Sequence, residues 1–292
     1  MLVEALEPLR SDPAHAAVLL DVDGTLAPIV RHAADAHVPE ATRMLLIEIA
    51  KRYRLVGCVS GRRATTARQI VSIGTIAYVG NHGGELLRPG ATRPELDPNI
   101  AAWTERVREF AERVYTGEHQ RMRVRSEDKD TIAAFHWRGA PDEEAAAATV
   151  REIAARAEAE GLAVHWGRKV LEVRPPVALD KGLGISTLLG GTRGDAIPRG
   201  DAVDPAATSA PAPAERDVRV EKAAFKAAVY VGDDTTDLDA FRGLRTLVRE
   251  GAIGTAICVA VSSDETPPEL AEQADLMIDG TEGVRELLEA LL

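Results

Sequence analysis

The stretch that decides the fold is Val18-Leu19-Leu20-Asp21-Val22-Asp23-Gly24-Thr25-Leu26. A short apolar run delivers two carboxylates one residue apart, followed by a glycine that permits a sharp exit. This reads as a buried strand of a parallel α/β sheet, where ligands bind beyond the carboxyl ends of the strands. Strand side chains at i and i+2 share a face, so Asp21 and Asp23 are expected to reach one small volume. Two like charges that close would raise a pKa unless a cation sits between them, and an all-oxygen donor set suits Mg²⁺. The competing reading is a plain Asp-Gly turn after a strand.

Composition bounds what such acids can serve. The chain has 292 residues, 45% of them hydrophobic, which is enough for a sizeable core and about two domains. Its net charge is -11 and no Lys/Arg block stands out, which argues against nucleic acid or an anionic membrane as the main partner. A chain of that charge repels an anionic substrate from afar, so a phosphate site here must be locally basic or metal-assisted. Cys58 and Cys258 are the two cysteines and lie in apolar, strand-like runs. A disulfide framework is therefore not indicated, and a cytoplasmic setting is the expectation. Residues 1–10 read as a short helix without the basic start and long apolar core of an export signal, and no apolar run approaches ~20 residues. The oligomeric expectation is a monomer.

Outward from the acids, His32 and His37 lie in a loop of small residues, a poor metal pair without thiols or carboxylates at fitting offsets. Pro39 opens a helix with Leu45, Leu46, Ile49 and Ala50 on its apolar face. A second strand, 54–59, ends in Ser60-Gly61-Arg62-Arg63 just before a helix. A hydroxyl and a glycine amide there form a natural anion site, although Ser60 could equally serve as a helix cap. A third strand, 76–79, runs into Gly80-Asn81-His82-Gly83-Gly84-Glu85, which reads either as a hairpin turn or as a place of close backbone approach.

From about Asp97 the pattern changes. Residues 100–114 have helical spacing, 122–127 and 131–137 read as strands, 141–160 as a helix, and 163–166 with 170–173 as two more strands. This is a compact α+β unit inserted into the α/β pattern, which resumes beyond Pro175. Asp180-Lys181-Gly182 starts a further helix, and a lysine opposing the positive end of the helix dipole marks a functional position. Residues 190–220 are rich in Gly, Pro, Ala, Asp and Arg and read as a long flexible loop. Next, 227–231 is a strand that delivers Gly232-Asp233-Asp234-Thr235-Thr236-Asp237. A strand at 257–261 and an amphipathic helix at 282–291 close the chain.

Asp21-Val22-Asp23-Gly24-Thr25, Ser60-Gly61-Arg62, Lys181-Gly182 and Gly232-Asp233-Asp234 resemble, in order, the four motifs of the haloacid dehalogenase superfamily. Gly80-Asn81-His82-Gly83-Gly84-Glu85 and Gly232-Asp233-Asp234-Thr235-Thr236-Asp237 are similar to the narrower family of trehalose-6-phosphate phosphatases. The resemblance implies a doubly wound, mostly parallel α/β core (1–97 and 176–292) with an α+β cap (98–175). It also implies a Mg²⁺-dependent phosphatase. Asp21 is then the nucleophile and Asp23 the acid and base, with Ser60 and Lys181 as further catalytic residues. Asp21, Asp23 and Asp233 hold the metal, with Asp234 and Asp237 behind them. Gly61, Arg62 and His82 line the substrate site, and Glu127, Lys129, Arg138, Arg168 and Glu172 match the positions that hold the sugar. Arg168 stands where the family has lysine, and Leu238 where it has glutamate, which puts those two contacts in doubt. Open alternatives are a phosphatase for mannosylglycerate, glucosylglycerol or sucrose phosphate, a phosphomutase, and a non-catalytic sugar-phosphate sensor.

Overall fold

A computed structural model describes residues 2–30, 35–177, 179–190, 225–263 and 266–292. His32 and, apart from Gly190, the loop expected at 190–220 lie outside these residues. The central sheet contains β1 (Ala16–Leu20), β2 (Leu55–Val59), β3 (Ala77–Gly80), β4 (Glu85–Leu87) and β5 (Glu95–Leu96). A second sheet contains β6 (Arg125–Asp128), β7 (Ala133–His136), β8 (Ala163–Gly167) and β9 (Val170–Arg174). The chain then returns to the first sheet with β10 (Phe225–Gly232), β11 (Ile253–Ser262) and β12 (Leu276–Asp279).

The central order is β12-β11-β10-β1-β2-β3-β4-β5. It is parallel from β12 to β3 and antiparallel across β3, β4 and β5. Alternate residues of β1 feed opposite cores. Val18 and Leu20 pack with Leu46, Ile49 and Leu288 on one face. Ala17 and Leu19 pack with Ile185, Phe241 and Leu244 on the other. Helices cover both faces, which is why the inner strands read as continuous apolar runs. The chain winds outward one way from β1 through β2 and β3, then the other way from β10 through β11 and β12. The order reverses between β1 and β10, and that switch point is where an open α/β sheet opens a crevice for ligands.

The second sheet is antiparallel, in the order β6-β7-β9-β8. The helices Thr104–Val114 and Glu143–Ala159 cover one of its faces, burying Phe110, Phe135, Val150, Ile153 and Leu171 in a core separate from those of the central sheet. Each such side chain stabilises by about 1.5–3 kcal/mol on leaving water, so this unit has a core of its own. Glu127 and Glu172 both pair with Ala134 in register, and His165 pairs with Glu172. These residues therefore form a row on the sheet's other face.

Several elements depart from the sequence reading. The helix expected over 100–114 is two pieces, Pro98–Ala101 and Thr104–Val114, because Trp103 N–H bonds to the carbonyl of Ile100 three residues back and tightens the turn. The strand expected over 122–127 begins only at Arg125, and the short helix Gly117–Arg121 precedes it. The N-terminal helix is likewise split, into Leu2–Ala5 and Glu7–Arg10, with Pro8 in the first turn of the second piece. No helix among the described residues is long and apolar enough to cross a membrane.

Candidate active site

Asp21 follows β1 directly, and its N–H bonds to the carbonyl of Val231 in β10. Its carboxylate is buried and accepts from Lys181 Nζ at 2.8 Å. Lys181 opens the helix Lys181–Leu189, whose start is capped by the Asp180 carboxylate accepting from Leu183 N–H. The Lys181 ammonium also reaches Asp237 Oδ1 at 2.6 Å. A buried ammonium at a helix start is unfavourable alone, and here two carboxylates compensate. Burial opposes its charge, but Asp21 and Asp237 hold the Lys181 pKa above the usual lysine range.

Asp233 follows β10. Gly24 makes room for it: a Cβ at that position, where φ is +83°, would lie 2.0 Å from Asp233 Oδ2. Thr25 Oγ1 donates to Asp233 Oδ1 at 3.1 Å. Asp237 is fully buried, and its two oxygens accept from Lys181, from Tyr230 O–H at 2.5 Å and from the N–H groups of Asp233 and Asp234 at 2.8 Å each. Four donors use the acceptor capacity of a carboxylate. Asp237 is thus the organiser of the turn that carries Asp233.

Carboxylate oxygens of Asp21, Asp233 and Asp237 lie within 4.8 Å of one another. Burial raises Asp21 well above the ordinary carboxylate range despite Lys181. It lifts Asp233 to about 7, with Asp237 adding repulsion. Asp21 and Asp233 accept hydrogen bonds only at Oδ1 among the described residues. Their remaining oxygens are hard donors in a buried, negatively charged pocket, the donor set a Mg²⁺-sized cation requires. The residues therefore fit a divalent metal.

Asp23 turns away from this cluster. Its carboxylate takes a two-pronged bond from Arg62 Nε and Nη2, both at 2.6 Å. The two acids of the first motif thus meet different cations, because β1 ends at Leu20 and strand alternation does not extend past a strand end. Ser60 is buried, and its Oγ accepts from Arg62 N–H at 3.1 Å, which leaves its hydroxyl proton available. Beside it, a Cβ on Gly61 would lie 2.6 Å from the His82 ring.

The turn at 80–85 is a hairpin and a close approach at once. β3 and β4 pair antiparallel across it, Asn81 and His82 adopt φ of +47° and +54°, and a Cβ on Gly83 would lie 2.4 Å from the Asp180 carbonyl oxygen. His82 Nε2 lies 3.8 Å from Glu172 Oε2, and Lys129 Nζ donates to Glu172 Oε1 at 2.7 Å. Glu172 also accepts from Arg174, and burial, overcome by Lys129 and Arg174, leaves its pKa at about 2. Burial and the nearby Arg174 hold His82 neutral, at about 3. Glu127 bonds His136 at 2.9 Å. Arg138 donates to the backbone carbonyl of Arg168 at 3.2 Å, both on the exposed rim. The structure brings His82, Lys129 and Glu172 into direct contact. Glu127 joins them through the register row, and Arg138 with Arg168 forms a separate rim pair.

The sequence model of the trehalose-phosphatase family matches residues 19–275. The chain belongs to that family. The trehalose-phosphate phosphatase of Mycobacterium marinum is 30% identical over 264 residues, covering 88% of this chain and 60% of that protein. That of Mycobacterium bovis is 31% identical over 284 residues, covering 94% of this chain and 63% of that protein. The chain thus spans 60% and 63% of the length of these two relatives. In fold, it is similar to the C-terminal domain of the Candida albicans trehalose-6-phosphate phosphatase, with a TM-score of 0.69 at 18% identity over 99% of this chain and 96% of that one.

In this chain Leu238 is a core residue, 5% exposed and packed beneath its helix, and Asp239 beside it pairs with Arg242 at 2.8 Å. Sequence reasoning missed Arg174, Asn81, Glu85 and His165. Arg174 is a buried partner of Glu172. The His165 ring lies 6.4 Å from that of His82. The i, i+2 spacing of Glu172 and Arg174 on one strand was the signal available for Arg174. His165 needs the cross-strand register.

Proposed function

We propose that this chain is a Mg²⁺-dependent phosphatase that hydrolyses trehalose 6-phosphate to trehalose and phosphate through an aspartyl-phosphate on Asp21. The core is formed by 1–97 and 176–292, and 98–175 form the cap. The observation that carries the reading is the meeting of Asp21, Lys181 and Asp233 at the β1/β10 switch point, with Lys129 and Glu172 of the cap held against the His82 turn of the core. The buried, unpaired Cys58 and Cys258 support a reducing, cytoplasmic setting.

Asp21 attacks phosphorus in line. Its Oδ–P bond forms as the bond to the sugar oxygen breaks, splitting one hard step into two. Asp23 gives its proton to the departing sugar oxygen, then takes one from the water that attacks the aspartyl-phosphate, a role worth typically ~10²–10⁴-fold. Arg62 aims the Asp23 carboxylate throughout. Lys181, the Ser60 hydroxyl and the Gly61 amide face the phosphoryl oxygens, where buried donors act most strongly. Asp21, Asp233 and the backbone carbonyl of Asp23 would hold Mg²⁺, which supplies Lewis-acid screening of the phosphoryl charge. Glu127, Lys129, Arg138, Arg168 and Glu172 bond the sugar hydroxyls, and the cap excludes bulk water.

The test is rapid acid quenching of an Asp23→Asn variant after mixing with Mg²⁺ and phosphate-labelled p-nitrophenyl phosphate, whose leaving group departs without the proton Asp23 gives a sugar. Because that variant lacks the base for the second step, label should accumulate on the peptide containing Asp21. Release of p-nitrophenol without label on that peptide would overturn the covalent mechanism.

A further inference from the structure

The turn after β3 is where the phosphate side and the sugar side of the site are joined by hydrogen bonds. Its backbone holds the phosphate-side loop: Asn81 N–H donates to the Arg62 carbonyl at 2.8 Å and His82 N–H to the Ser60 carbonyl at 3.2 Å. Glu85 Oε2, at the end of the same turn, accepts from Ala64 N–H at 2.8 Å. The Asn81 side chain reaches the other way. Its Nδ2 donates to the Lys129 carbonyl at 2.8 Å, to Thr131 Oγ1 at 3.2 Å and to Glu85 Oε1 at 2.8 Å. Asn81, Glu85 and Thr131 are each at most 1% exposed. The Arg63–Asp130 pair also links these two loops but is about one third exposed, and an ion pair open to solvent and salt is a weak constraint. A buried amide bonded on both sides is a strong one.

We propose that Asn81 is a positioning residue for the sugar ester. By fixing the Lys129–Thr131 loop to the Ser60–Ala64 loop, it sets the distance between Lys129, with its partner Glu172, and the phosphoryl-binding groups. A disaccharide phosphate must touch both sides at once, so its productive binding depends on that distance. A small aryl phosphate touches only the phosphate side, and its turnover does not. Asparagine suits the position because it tolerates the left-handed backbone found there and carries the amide donors. The inference rests on the reading of the cap as the sugar-binding wall.

Asn81→Gly is the direct test, since glycine accepts φ of +47° without strain and removes only the amide. Thr131→Val is a second, isosteric variant that deletes one acceptor of the same amide. With Mg²⁺ present, kcat and KM are measured for trehalose 6-phosphate and for p-nitrophenyl phosphate, alongside thermal melts. Asn81→Gly should lose about 30-fold in kcat/KM on the sugar ester, KM rising more than kcat falls, and under about 3-fold on the aryl ester. Thr131→Val should shift the sugar ester alone, by about 5-fold, and carries the test should the glycine variant not fold. Equal losses on both esters, or an unchanged sugar ester, would overturn the proposal. Wild-type protein that hydrolyses the aryl ester but not trehalose 6-phosphate would instead remove the sugar reading, and the inference with it.

Discussion

The two sides of the site are built on opposite principles. At the strand ends, Asp21, Lys181, Asp233 and Asp237 are each under one tenth exposed and bonded to one another. On the cap, Glu127, Arg138 and Arg168 stand exposed, while Thr131, Glu172 and Arg174 are drawn into the interior. Charges in a buried cluster interact strongly and cost most when one is lost. Polar groups on a wet sheet face interact weakly and exchange readily with hydroxyls. The strand ends are therefore suited to chemistry that does not vary with the leaving group, and the cap to choosing that group.

The comparison breaks most sharply at Asp21. Asp21→Asn keeps the shape and Oδ1 but removes the proposed nucleophile, so kcat should fall about 10⁴-fold or more on every phosphate ester, with circular dichroism unchanged. Lys181→Met should act on stability as well. It leaves Asp21 and Asp237 buried without their shared cation, at a cost of about 3–5 kcal/mol in denaturant unfolding. Glu172→Gln removes the charge that gathers Lys129, Arg174 and His82. It should lower kcat/KM on the sugar ester by about 100-fold while moving an aryl ester by less than about 3-fold. Equal losses would erase the division between the two sides.

A smaller effect appears in pH-dependent stability. His82 titrates at about 3 in the folded protein, below its ordinary 6.5, so the unfolded chain binds the extra proton first. Stability is then complete above about 6.5 and is lost as pH falls toward 3, at no more than ~1.4 kcal/mol per pH unit for one proton. Glu172, at about 2 against an ordinary 4.5, has the same sign and a lower window. Urea unfolding between pH 7 and 4 should show the slope, and His82→Asn should flatten its upper part while leaving the Glu172 window.

What could be read ahead of the structure follows the same division. Asp21, Ser60, Lys181 and Asp233 each end an apolar run or begin a helix, so local pattern places them. The doubly wound core was legible for that reason, as was the inserted α+β unit. The three-residue β4 exists through its pairing with β3 and the two-residue β5 through its pairing with β4, and nothing local marks them. The row of Glu127, Glu172 and His165 depends on register among four strands. The turn of Asp23 toward Arg62 likewise follows from tertiary packing beyond the strand end.

The most direct test of the account is phosphate release with Mg²⁺ across trehalose 6-phosphate, glucose 6-phosphate, sucrose 6-phosphate and mannosyl-3-phosphoglycerate. The account predicts a strong preference for trehalose 6-phosphate, abolished by Asp21→Asn. Activity spread evenly over the panel, or confined to another member, would contradict it: the strand-end chemistry would stand and the assignment of the cap contacts would fall.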